Sequence, residues 1–371
     1  MVEDFLPIKR IDHVELYVGN AKQAAHFYRT GFGFTQTAYS GLETGSRQFA
    51  SYLMEQGQIR LVLSSPLSPD HPAARFTHLH GDSVAVIAME VPNAESAYRE
   101  TTKRGATGAI PPTEMQDEFG VLCYSAIRAY GDVIIKFVQR DGYEGVFAPG
   151  YKPTAAPVGM NGRGGVHKGI GLAAIDHMVG NVELGAMNRW VQFFAETMGF
   201  SQLLHFDDQD ISTEYSALMS KVMQNGTGKV KFPINEPAEG RRKSQIQEYL
   251  DYHYGPGVQH IALSTGDIIS TVTRLRENGI EMLTVPTSYY DHLVERVGKI
   301  DEPLDKLAEL GILVDRDDEG YLLQIFSAPV VDRPTLFFEV IERHGSRGFG
   351  KGNFKALFEA IEREQARRGN L

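Results

Sequence analysis

The feature that most constrains this chain is that it repeats itself. Ile11-Asp12-His13, followed by Val18-Gly19-Asn20, returns as Ile175-Asp176-His177 followed by Gly180-Asn181. In both places a helix-like stretch then ends in Gly-Phe, at Gly33-Phe34 and Gly199-Phe200. Internal self-similarity decides the fold class ahead of local propensity, because each copy must be one supersecondary unit. Each half is doubled again: Val84 to Val91 and Val258 to Thr265 are strand-like, and each precedes a helix-like segment, Ala94 to Arg104 and Asp267 to Asn278. Four similar modules follow. Each reads as strand, helix, then three strands, with short runs of Val, Ile, Phe and Tyr bounded by Gly, Pro and Asp turns.

Between Pro149 and Gly171 the chain is rich in Gly and Pro and lacks apolar periodicity, so it reads as a linker. The expected organisation is a first domain over 1–148, the linker over 149–171 and a second domain over 172–371. At 371 residues the chain exceeds what one core usually serves, which suits two units. Near its end, Phe354, Leu357, Phe358 and Ile361 recur at helical spacing, with Asn353 placed to cap and Gly369 to stop. This predicts an amphipathic helix over 353–368 whose aromatic face covers either core or a cavity.

Composition removes several classes of function. A formal net charge of −10 repels phosphate backbones and anionic lipid, so neither nucleic acid nor membrane is expected as a partner. No apolar run approaches the ~18 residues of a membrane span, and Met1-Val2-Glu3-Asp4 lacks the basic start of a secretory signal. The single cysteine, Cys123, rules out an intramolecular disulfide and thiolate-rich metal sites and points to the cytoplasm. It stands in an apolar strand-like run, where an inert thiol is expected. Arg241-Arg242-Lys243 reads as solvated surface, and the loop-like His71, His78 and His80 carry no assigned role.

Chemistry concentrates at three equivalent points of the second half. His177 lies on its first strand, His260 in Val258-Gln259-His260-Ile261, and Glu339 in Phe337-Phe338-Glu339-Val340, with separations of 83 and 79 residues. A lone histidine on an apolar strand is usually a satisfied core residue, and Glu339 could pair with Arg343. A carboxylate there is nonetheless costly unless paired or metal-bound. Two imidazoles and one carboxylate at matched positions supply the facial triad of a non-haem Fe(II) site with open positions. The first half is an internal control: it keeps His13, but Val86 falls opposite His260 and Lys136 opposite Glu339. Strand alternation puts Phe337 on the face of Glu339, and Gln324 on that of Phe326, which suits an aromatic substrate with a polar end. The glycine-rich run Gly348 to Asn353 matches no phosphate-binding pattern and reads as a flexible turn.

Over nearly its whole length the chain resembles the 4-hydroxyphenylpyruvate dioxygenase family of the vicinal oxygen chelate superfamily. The resemblance rests on Ile175-Asp176-His177, FPINEP at 232–237, KSQIQEYL at 243–250, GVQHIAL at 257–263, GYLLQIF at 320–326, DRPTLFFEVIERHG at 332–345 and GFGKGNFKALFEAIE at 348–362. It implies an α+β fold of two tandem open β-barrels, each of two βαβββ modules, with a C-terminal lid helix. It implies Fe(II) held by His177, His260 and Glu339. It further implies Asn235, Gln245, Gln259 and Gln324 as the polar catalytic set, and Ser216, Phe326, Phe337, Phe349, Asn353, Phe354 and Leu357 as substrate contacts, with no departure at these positions. Phe326 and Phe337 are expected to sandwich the substrate ring. The implied reaction converts 4-hydroxyphenylpyruvate and O₂ to homogentisate and CO₂, by oxidative decarboxylation, ring hydroxylation and side-chain migration. A homodimer or homotetramer is the implied assembly.

Three rivals remain in view. A 4-hydroxymandelate synthase would use the same triad and substrate, but that branch commonly carries an aliphatic residue at the position of Phe354. An extradiol catechol dioxygenase shares the fold and donor set and works without a 2-oxo acid. A duplicated module of this type could also be a non-catalytic small-molecule binding protein.

Overall fold

A computed structural model describes residues 4–154, 169–206, 217–238 and 240–370. In it the repeat becomes two sheets built to one plan. The first contains β1 (Arg10–Tyr17), β2 (Thr35–Ser40), β3 (Phe49–Gln56), β4 (Ile59–Pro66), β5 (Ser83–Glu90), β6 (Gly108–Asp117), β7 (Gly120–Arg128), β8 (Ile134–Gln139) and the short β9 (Lys152–Pro153). Their spatial order is β6-β7-β8-β5-β1-β4-β3-β2-β9. The second contains β10 (Leu172–Asn181), β11 (Ser201–Phe206), β12 (Ala217–Gln224), β13 (Lys231–Ala238), β14 (Gly257–Thr265), β15 (Leu313–Arg316), β16 (Tyr321–Phe326) and β17 (Phe337–His344). These run in the order β11-β12-β13-β10-β14-β17-β16-β15. Neither sheet closes on itself, so each is an open barrel.

In both sheets two four-stranded modules meet at their first strands. β1 pairs antiparallel with β5, and β10 with β14. On either side the pairing turns parallel, β1 with β4, β5 with β8, β10 with β13 and β14 with β17. The described α-helices are α1 (Ala21–Phe32), α2 (Pro72–His80), α3 (Ala94–Lys103), α4 (Met187–Met198), α5 (Gln245–His253), α6 (Ile268–Glu277), α7 (Leu293–Val297), α8 (Leu304–Leu310) and α9 (Phe354–Arg367). Of these, α1, α3, α4 and α6 are the module helices.

The repeated Gly-Phe has a local cause. Gly33 and Gly199 close α1 and α4 in the same left-handed conformation, φ 70° and ψ 21° in each, which a side chain disfavours. The phenylalanine that follows is buried in both copies. The repeated Ile-Asp-His also has one. The ladder skips a residue between Ile11 and His13, and again between Ile175 and His177, so each aspartate sits at a β-bulge. A bulge re-aims the side chain it carries, and here it brings the aspartate beside the histidine that follows it.

Four sequence expectations need correction. His71, His78 and His80 are not on a loop: His71 caps α2 by accepting from the Ala73 N–H, Pro72 occupies its first turn, and His80 ends it. The segment read as linker starts with order, since Lys152–Pro153 pairs with Ala38 and Tyr39 at the edge of the first sheet. The modules also carry insertions, α2 and α5 between paired modules and α7 and α8 within the fourth. Asn353 stands at the cap position of α9 without capping it; its Oδ1 accepts from Tyr289 Oη–H at 2.6 Å.

The halves share one continuous core. Tyr28 and Phe32 of α1 pack on Phe338 of β17, with centroids 5.8 and 4.9 Å apart, and Trp190 of α4 packs on Tyr130 of the first half at 5.8 Å. No described helix is long and apolar enough to cross a membrane.

Candidate metal centre and active site

The register of the second sheet places three donors on one patch of its inner face. His177 on β10 pairs with Ala262 on β14, and Ala262 pairs with Glu339 on β17, so these three form a row across the strands. His260 lies two residues before Ala262 and therefore on the same face. The small Ala262 leaves its neighbours room to approach. His177 Nε2 and His260 Nε2 lie 3.1 and 3.4 Å from Glu339 Oε2, and all three residues are buried. Among the described residues this is one of two groups whose spacing could hold a metal ion.

The other ring nitrogens are already committed. His177 Nδ1–H donates to Asp176 Oδ1 at 2.8 Å and His260 Nδ1–H to Gln259 Oε1 at 3.0 Å. Each bond fixes a tautomer and turns an Nε2 lone pair toward the centre, the usual support for an imidazole ligand. Asp176 is itself gripped by Arg343 through Nε and Nη2, both at 2.8 Å. Arg343 thus serves Asp176, not Glu339. Phe349 stands edge-on to His177 with centroids 4.9 Å apart, delivered by the glycine-rich run that reads as a flexible turn in the sequence. Gly350 within that run has φ +75°, and a Cβ there would come within 2.3 Å of Gln324 Nε2, so both backbone and space require glycine.

Electrostatics point the same way. Burial pushes the Glu339 carboxyl up, but His177 and His260 outweigh it and hold the group down at about 2. Burial depresses His260, favouring the neutral ring. His177 is pulled down by burial too, yet Glu339 and Asp176 raise it above the ordinary value. Asp176 lies well below the carboxylate range: Arg343 and His177 overcome its burial. An ionised carboxylate facing two oriented imidazoles in a buried pocket fits a divalent first-row ion with positions left over.

A cavity opens beside these donors. Asn235, Gln245, Gln259, Gln324, Phe326, Phe337, Phe349, Phe354 and Leu357, all anticipated from sequence, line it together with Phe358 and Ile361 of α9. Two anticipated contacts differ. Asn353 is buried against Tyr289 and is absent from the cavity wall, and Ser216 lies outside the described residues. The aromatic pair differs in shape as well. Phe326 and Phe337 sit 6.2 Å apart at 69°, an edge-to-face corner, whereas a parallel sandwich needs rings about 7 Å apart. Phe337 instead stacks on His260 at 4.8 Å. Gln324 is 1% exposed, and neither amide atom has a hydrogen-bond partner among the described residues. A buried amide left so is costly unless a ligand completes it.

Sequence reasoning missed the roles of Asp176 and Arg343. The repeated Ile-Asp-His was the available signal for the first. Cys123 is half-buried, and burial and Glu114 raise its thiol, consistent with an inert residue.

The fold and the centre define a class, and comparison bears it out: the Glyoxalase/Bleomycin resistance protein/Dioxygenase superfamily profile matches residues 10–123 and 174–325. Within that class the chain belongs to the 4-hydroxyphenylpyruvate dioxygenase family. It is 46% identical to the 4-hydroxyphenylpyruvate dioxygenase of Yarrowia lipolytica over 97% of this chain and 93% of the other. It is also 46% identical to that of Dictyostelium discoideum, over 97% and 99%. Among solved structures, a mutant 4-hydroxymandelate synthase from Streptomyces coelicolor superposes with a TM-score of 0.86 at 31% identity, covering 97% of this chain and all of the other (100%).

Proposed function

We propose that this chain is an Fe(II)-dependent dioxygenase that converts 4-hydroxyphenylpyruvate and O₂ to homogentisate and CO₂. One oxygen atom enters the new carboxylate and the other the ring, so the equation closes without an added reductant. The observation that carries the reading is the donor set: His177 Nε2, His260 Nε2 and Glu339 Oε2 converge at 3.1 and 3.4 Å on the wall of a cavity lined by amides and aromatic rings. Iron bound there supplies a centre that chelates the 2-oxo acid and activates O₂.

The chain's own residues do the rest. Asp176 and Gln259 keep both imidazoles in the ligating tautomer. The Phe326–Phe337 corner fixes the plane of the substrate ring, and Gln324, Gln245 and Asn235 offer polar partners to its phenol and keto ends. Phe354, Leu357, Phe358 and Ile361 of α9 close the cavity and exclude water, so that the oxidant meets the ring and not solvent. Assembly as a homodimer or homotetramer in the cytoplasm belongs to the same reading. The single cysteine supports the compartment.

Identity supports this branch over the synthase, at 46% against 31%, as does the aromatic Phe354 on the cavity wall. Anaerobic reconstitution with Fe(II), followed by 4-hydroxyphenylpyruvate and O₂, tests it. Homogentisate and CO₂ in equal amounts are expected. 4-Hydroxymandelate as the product would move the chain to the sister activity, and failure to consume O₂ would end the enzymatic reading.

A further inference from the structure

We propose that Glu302, Glu342 and His344 form a second divalent-cation site, on the outer face of β17 and back to back with the first. Strand alternation separates the two sites: Glu339 points into the barrel, while Glu342 and His344, two apart, share the opposite face. Glu302 approaches them from the segment between α7 and α8.

The spacing is that of ligands. His344 Nε2 lies 3.0 Å from Glu302 Oε1 and 3.1 Å from Glu342 Oε1, and the donors of all three residues fall within 4.8 Å of one another. Metal–ligand bonds of about 2.1 Å meeting at right angles set neighbouring donors about 3.0 Å apart. The separations repeat those of the first centre, 3.1 and 3.4 Å.

A simple ion pair accounts for this cluster less well. One Nε2 hydrogen points along one direction and cannot serve two carboxylates equally. Glu302 Oε2 is buried with no hydrogen-bond partner among the described residues, an acceptor that a chelating carboxylate would use. The remaining bonds hold the donors in place, as outer contacts do around metal ligands. Glu342 Oε2 accepts from the Ile268 N–H at 2.8 Å, Tyr321 Oη–H reaches Glu302 Oε1 at 3.4 Å, and the Tyr321 ring stacks on the His344 ring at 4.4 Å and 3°. Side-chain exposures of 13% for Glu302, 10% for Glu342 and 32% for His344 leave one side open for water to complete the shell. Two carboxylate oxygens and one imidazole suit Zn²⁺, Mn²⁺ or Co²⁺. Facing away from the cavity, the ion would fasten the α7–α8 segment to the end of β17 and act on stability, not turnover.

Titration of the chelator-stripped full chain with Co(II), followed by its visible absorption, tests the site. The wild-type chain is expected to take up two equivalents. Glu339→Gln removes one, Glu302→Gln or His344→Gln removes the other, and the double variant Glu339→Gln with Glu302→Gln takes up none. Because Glu302 lies outside the strands, its variant keeps the test alive if His344→Gln folds poorly. Uptake of one equivalent that only Glu339→Gln abolishes, or uptake that Glu302→Gln and His344→Gln both leave unchanged, overturns the proposal and leaves a His344 Nε2–H shared between two carboxylates. The Glu339→Gln arm reads the first centre on its own.

Discussion

The two halves carry the same frame around different centres. In the second, Asp176 holds His177 at 2.8 Å, Arg343 clamps Asp176 and Phe349 stands edge-on to the imidazole at 4.9 Å. In the first, Asp12 holds His13 at 2.6 Å, Arg140 clamps Asp12 at 2.5 and 2.7 Å, and Phe147 stands edge-on at 5.1 Å. The row across the strands matches too: His13 pairs with Ala88 and Ala88 with Lys136, as His177 pairs with Ala262 and Ala262 with Glu339. The donors differ, Val86 for His260 and Lys136 for Glu339. Burial holds the frame in both halves. Losing one partner of a buried ion pair costs about 3–5 kcal/mol whether or not a metal is present. In the first half Lys136 stands in the row where the second half has Glu339.

The sharpest way to break the comparison is to remove Glu339. Glu339→Ala should lose both iron retention and turnover, as read by metal analysis and O₂ uptake; retained iron with normal rate would take Glu339 out of the ligand set. The paired variants Asp176→Asn and Asp12→Asn come next. Both should lower stability by about 3 kcal/mol in denaturant titrations, but only Asp176→Asn should weaken iron affinity, by about 10- to 100-fold. Equal effects on iron would mean that the first frame also serves the centre.

Phe337→Ala should cut product formed per O₂ consumed while its first-half counterpart position stays irrelevant, with a loss in kcat/KM of about tenfold, within the range of a removed aromatic contact. Unchanged coupling would exclude the Phe326–Phe337 corner from orienting the ring. Iron affinity should also rise with pH. His177 is raised above its ordinary 6.5, so below that raised value the metal must displace a proton. Affinity then gains up to about tenfold per pH unit and levels off above it, a slope measurable by competition with a chelator.

The smallest effect concerns Lys136, which burial pulls below its ordinary 10.5. Between the lowered value and 10.5 the unfolded chain binds more protons, so this residue's penalty on stability eases as pH rises through that window. Lys136→Met should flatten that dependence and shift stability by about 1 kcal/mol or less at neutral pH. A larger loss would show that the ammonium pairs with Asp12 and Glu15 to real advantage.

Much of this was legible in the sequence because the repeat prints the fold twice. The modular plan and the donor triad follow from matched positions, and Gln324, Phe326 and Phe337 from alternation, while the rest of the cavity wall comes with the family resemblance. What escaped depends on geometry that spacing does not encode. The role of Asp176 requires a bulge, without which neighbouring strand residues face opposite ways. PAARFTHLH shows too little apolar periodicity to announce α2, and nothing local reveals that Tyr289 reaches Asn353, which the family resemblance places at the cavity. The corner made by Phe326 and Phe337 depends on ring rotation, which strand pairing leaves open.

The placement of the three donors on three separate strands also sets an order of assembly. No two of them are close in sequence, so no local segment can bind iron well, and the centre exists only after β10, β14 and β17 have met. During synthesis at about 5–20 residues per second, the stretch between His260 and Glu339 takes several seconds to emerge. For that interval the chain holds two imidazoles without their carboxylate. Metal capture at this centre is thereby postponed until the barrel around it is built.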